Sequence, residues 1–60
     1  MTIITEFFTK LPDGTPDKTK AHKLEFVGET AADCMEEIGR FREYYDAGKY
    51  TYPTIVNVRD

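Results

Sequence analysis

The sequence predicts an α+β fold of two layers: one helix on a three-stranded antiparallel sheet, in chain order ββαβ and spatial order 2-1-3. Three observations predict it. Residues 30–48 carry helical periodicity with matching start and stop signals. Residues 2–9, 21–27 and 54–59 are rich in β-branched and aromatic types or alternate apolar with polar. The first of these is bulky on both faces, which suits a middle strand.

Residues 2–9, Thr-Ile-Ile-Thr-Glu-Phe-Phe-Thr, put Ile3 and Phe7 on one face and Ile4 and Phe8 on the other. Alternation leaves open which pair meets the helix. Leu11-Pro12-Asp13-Gly14 is a turn: proline presets φ, aspartate bonds locally and glycine supplies positive φ. Pro16 and Asp17 repeat that chemistry, so residues 11–20 read as one long mobile hairpin loop, with an irregular strand starting at Thr15 as the alternative. In 21–27, His22, Leu24 and Phe26 alternate with Lys23, Glu25 and Val27, giving a half-buried strand antiparallel to the first.

The helix begins at Thr30, an N-cap followed by the acidic Asp33 at N3. Ala31, Cys34, Ile38, Phe41 and Tyr45 recur at alternating spacings of three and four and form its apolar stripe, with Met35 on the margin. Gly48 is placed to close the last turn. In the last strand Val56 and Val58 share one face, Ile55, Asn57 and Arg59 the other. Pro53 marks this strand as an edge, and the two-faced first strand then takes the middle. The helix is expected to cover Leu24, Phe26, Val56, Val58 and one pair from strand one.

The bulk numbers narrow the function classes. Sixty residues make a single small domain, 1–60, and such a chain buries only about 60% of its unfolded surface. Disulfides, metal or self-association usually make up the shortfall. One cysteine excludes an internal disulfide, and Cys34 with His22 are too few for a structural zinc site. No metal or cofactor is expected, and self-association or a well-idealised small core remains. The net charge of −3 speaks against a general nucleic-acid or anionic-membrane binder. No apolar run approaches the ~18 residues of a membrane span, and no basic-then-apolar leader precedes the first strand. A cytoplasmic acidic protein is the expectation.

Chemistry-bearing residues are few. His22 lies beside Leu24 and Phe26 with no partner at a telling spacing. Cys34 lies on the apolar stripe, where inert thiols are common. Asp33, Glu36 and Glu37 read as a solvated acidic face, with Glu36 pairing to Arg40 at i+4. No Walker loop, dinucleotide turn, CxxC pair or HExxH helix is present, so an enzyme is not expected. Lys18, Lys20, His22 and Lys23 form a local basic cluster without a stacking motif.

Two surfaces stand out. The face of the sheet away from the helix is expected to carry Phe7 or Phe8, with Val27 and Ile55, inside a charged rim, as a self-association surface does. Arg42, Tyr44, Tyr50 and Tyr52 gather tyrosine and arginine near the end of the helix, the residue types that dominate binding hot spots, the alternative being that the tyrosines cap the open end of a small core. Arg42 can reach Asp46, and Gly39 in mid-helix costs ~1 kcal/mol relative to alanine, which a closely approaching backbone would explain.

Val27-Gly28-Glu29-Thr30-Ala31-Ala32-Asp33-Cys34 resembles the strand–turn–helix junction of HicB-type antitoxins. Capping chemistry alone generates a likeness this short, and no other part of the chain extends it, so it implies no membership. The sequence therefore predicts a small protein-binding module, forming a homodimer or larger homo-oligomer, of the kind that serves as an inhibitor or accessory protein of a mobile element. The alternative is a nucleic-acid accessory protein using the Lys18–Lys23 basic loop with Arg59.

Overall fold

A computed structural model describes residues 1–60. Its elements are β1 (Thr2–Lys10), β2 (Pro16–Val27), α1 (Ala31–Tyr44) and β3 (Thr54–Arg59). β1 is the middle strand, antiparallel to both neighbours, in the order β2-β1-β3. The two-faced apolar pattern of β1 thus has the structural meaning read from it.

The helix settles which pair lies inside. Ile3 pairs with Phe26 and with Val58, and it forms a buried cluster with Cys34 and Ile38 against which Phe26 packs. Ile3, Thr5 and Phe7 therefore face the helix, while Ile4 and Phe8 face away. Phe7 is a correction: it lies buried under the helix rather than on the uncovered face. The uncovered face is less apolar than the pattern suggests. Ile4 is buried among the side chains of Lys23, Glu25, Val56, Asn57 and Arg59. The Lys18 ammonium stands 4.6 Å from the centre of the Phe8 ring. Val27 remains exposed there, as expected.

A bulge reverses part of β3. Ile4 pairs with Asn57 but Thr5 with Ile55, which leaves Val56 as an extra residue. Ile55 consequently shares the helix side with Thr5, and Val56 moves to the open face beside Ile4. Both positions are opposite to the alternation reading. Strict period-two counting contains no inserted residue, so it cannot see this. A helix about 10–12 Å across spans roughly two strands at ~4.8 Å spacing. Here it packs on β1 and β2, and every residue of β3 is exposed.

Two boundaries differ from the sequence reading. The connector is only 11–15: Leu11 N–H donates to Thr15 O, Gly14 N–H to Leu11 O, and the ladder resumes at Lys10–Pro16. The Asp13 carboxylate accepts from Thr15 N–H at 3.0 Å, and that local bond tightens the turn. The helix starts as read, with Thr30 Oγ1 accepting from Asp33 N–H, but it ends at Tyr44. Tyr45 is already extended, and Gly14 alone has positive φ, so Gly48 does not close the helix. Asp46 instead starts a new turn, its carbonyl accepting from Lys49 N–H and Tyr50 N–H and its carboxylate from Gly48 N–H. No helix is long and apolar enough to cross a membrane.

Candidate functional site

The chain between α1 and β3 is fastened to the end of β1. Thr51 N–H donates to Phe8 O at 2.8 Å, Phe8 N–H donates to Thr51 Oγ1 at 2.9 Å, and Lys10 N–H donates to Lys49 O at 2.8 Å. Tyr50 pairs with Thr9 in an isolated bridge. This ladder holds Tyr50 against the far end of the sheet, while the helix delivers Phe41 and Tyr44 from above and the chain leaving it supplies Tyr45 and Asp46.

Between them lies a concave space of about 290 Å³, lined by Phe7, His22, Phe41, Tyr44, Tyr45, Asp46 and Tyr50. Its walls are rings in mutual contact. Phe7 stacks on His22 at 5.1 Å between centroids and meets Tyr50 edge-on at 5.4 Å. Phe41 lies 5.6 Å from Phe7 and stacks on Tyr45 at 6.2 Å. Such contacts each add roughly 0.5–1.5 kcal/mol beyond burial, so the walls are set before anything binds. His22 is held by Thr9, its Nε2 lying 2.8 Å from Thr9 Oγ1. At the mouth, one Asp46 oxygen accepts from Gly48 N–H. Lys10 Nζ donates to Ala47 O at 2.7 Å, and Lys49 lies over the Tyr50 ring. Tyr44 stands at the lip, 84% exposed.

No protein-family model matches this chain, and no curated protein or solved structure is found similar to it.

Of the residues singled out for a partner, the structure brings Tyr44 and Tyr50 to the same concavity. Tyr52 sits behind Tyr45, edge-on at 6.1 Å. Arg42 does something else. Its Nη2 donates to Pro53 O at 3.0 Å and its guanidinium covers the Tyr52 ring at 4.7 Å. It ties the entry of β3 to the helix instead of reaching Asp46. Phe7, His22, Phe41, Tyr45 and Asp46 also line the space, and sequence reading assigned none of them to this partner site; Phe41 and Tyr45 were read as apolar stripe. The register that sets Phe7 and His22 side by side is the signal that places those two.

The other charged groups disperse. Glu36 and Arg40 form the expected ion pair at 2.9 Å, exposed on both sides and thus of small energetic weight. Lys18, Lys20 and Lys23 belong to β2 rather than to a loop. Lys18 lies on Phe8 and Lys23 pairs across from Glu6, both on the face turned away from the helix.

Proposed function

We propose that the chain is a small non-enzymatic protein-interaction module whose aromatic concavity receives a side chain of a protein partner. One observation carries this reading: Tyr44 is almost fully exposed at the lip of a space walled by Phe7, Phe41, Tyr45 and Tyr50. A rigid ring platform with an exposed tyrosine loses little entropy on contact and offers a large area, as binding hot spots do. Arg42 supports the site from behind by holding Tyr52 and Pro53. An inhibitor or accessory protein of a mobile element is the kind of role such a module fills, by analogy of size and charge.

The test uses the whole chain as bait in its host extract, with Tyr44→Ala and Tyr50→Ala as comparison baits. A protein retained by the wild type is then titrated against all three by calorimetry. Loss of a hot-spot tyrosine costs about 2 kcal/mol or more, a weakening of roughly thirtyfold. A partner held equally by the wild type and both variants overturns the reading, as does the absence of any selectively held protein.

A further inference from the structure

We propose that two copies of this chain join edge to edge, β3 pairing antiparallel with the partner's β3 about a two-fold axis between Val56 and Asn57. This goes beyond the aromatic concavity and stands without it, because the concavity lies at the opposite end of β1 from the Ile3–Val58 pairing.

The two free edges of the sheet are unlike each other. β2 carries Lys18, Lys20 and Lys23 and begins at Pro16, the devices that blunt an edge against further pairing. β3 has no charged residue from Thr54 to Val58. Ile55, Val56 and Val58 are 42%, 50% and 52% exposed. An uncharged run, β-branched except at Asn57, with one unpaired backbone side is a template for another strand.

The bulge decides which strand fits. With Val56 inserted, Ile55 and Val58 pair with Thr5 and Ile3 and share the helix side. Thr54 and Arg59 pair with Glu6 and Thr2, and Val56 and Asn57 lie with Ile4 on the open side. Read from either end, the order of faces is the same: open, helix, open, open, helix, open. An antiparallel copy centred on that pattern sets Ile55 against the partner's Val58, Val56 against the partner's Asn57, and Thr54 against the partner's Arg59. Residues paired across a ladder must share a face, and each of these pairs does. A strand of unrelated sequence would meet that face order only by chance.

Charge agrees with the same register. Arg59 faces the partner's Thr54, a small residue, and the partner's Glu6 lies one strand further on. Two strand spacings are about 10 Å, a gap that an arginine and a glutamate bridge between them. The ion pairs within the chain all belong to Arg40, so Arg59 and Glu6 are both available. The pairing is isologous and closes at two copies, giving a continuous six-stranded sheet.

Sedimentation of the 6.9 kDa chain over a wide concentration range tests this. The expected result is a monomer–dimer equilibrium and nothing larger. A double variant, Ile55→Lys with Val58→Lys, is expected to be monomeric, as is Ile55→Glu with Val58→Glu. An equimolar mixture of the two is expected to regain the dimer mass, because the register sets lysine against glutamate twice. In the wild type, amide exchange along β3 should slow as concentration rises, a readout that needs no variant. A wild-type monomer at every concentration, assemblies growing beyond two, lysine variants that still dimerise, or a mixture that stays monomeric overturns the proposal.

Discussion

Gly28 and Gly39 answer to opposite constraints. A Cβ on Gly28 would lie 2.8 Å from Asp33 Cβ and 3.2 Å from both Cys34 N and Cys34 Sγ, so glycine here lets the first turn of α1 close onto the end of β2. Forcing a methyl into that contact costs about 1–3 kcal/mol. Gly39 has nothing within 4 Å of the corresponding point. Gly39→Ala is therefore expected to stabilise the helix by about 0.5–1 kcal/mol, and each kcal/mol is worth roughly 4–8 °C in Tm for a domain of this size. Thermal melts followed by circular dichroism at low concentration check both directions. A lowered Tm for Gly39→Ala would mean that the open space beside the helix is filled in solution. The sequence shows that Gly39 carries a cost but not that its surroundings are empty. It shows Gly28 only as a turn residue, because the contact that requires it comes from five residues further along the fold.

At the scale of elements, legibility followed locality. The N-cap of α1 and the Glu36–Arg40 pair depend on spacing within one stretch, and the central place of β1 on its own two-faced pattern with Pro53 at the entry of β3, so each is read directly from the residues. The bulge at Val56 depends on how β3 meets β1, and the seating of His22 beside Phe7 depends on the β1–β2 register. Neither leaves a mark in a single strand, so Phe7 and His22 could not be placed at the concavity from the residues alone, while Tyr44 and Tyr50 could. The hairpin turn and the first residues of β2 show how local chemistry also sets a pH response. Pro12-Asp13-Gly14-Thr15 and Pro16-Asp17-Lys18-Thr19 repeat one motif, and each aspartate accepts from the hydroxyl and the backbone N–H of the threonine two residues on. Those bonds, the hydroxyl first, hold both carboxyls below the ordinary aspartate range, with Lys20 adding attraction at Asp17. A depressed folded pKa gives stabilisation that is present above the unfolded value of about 3.9 and lost as pH falls through the lower folded value. NMR titration should thus show the Thr15 and Thr19 amides moving with midpoints below that value, and Asp13→Asn and Asp17→Asn should abolish the movement. Midpoints at or above it would mean that the turn bonds do not persist in water.

Across the whole molecule, the interior is divided along a flat body of 39 × 21 × 10 Å. An aliphatic cluster of Ile3, Cys34 and Ile38 sits under the first half of the helix, and the ring cluster of Phe7, His22, Tyr45 and Tyr50 sits under its end. Phe41 joins them, its ring 5.9 Å from Phe26 at one side and 5.6 Å from Phe7 at the other. Stability in small domains runs at about 0.05–0.15 kcal/mol per residue, which for this chain is roughly 3–9 kcal/mol. Truncating a phenylalanine costs about 3–5 kcal/mol, and the half-buried Phe41 belongs near the lower end. Phe41→Ala therefore removes a third or more of the total and separates the two clusters. Urea unfolding should then lose its single cooperative step, with tyrosine fluorescence at the ring cluster changing before the helical dichroism. Phe41→Leu keeps most of the apolar bulk and should keep one transition at a lower midpoint. If Phe41→Ala unfolds at the wild-type midpoint, with both probes still coincident, then the two clusters are coupled through the sheet alone. In that case the pre-set walls of the concavity could not be credited to the helix above them.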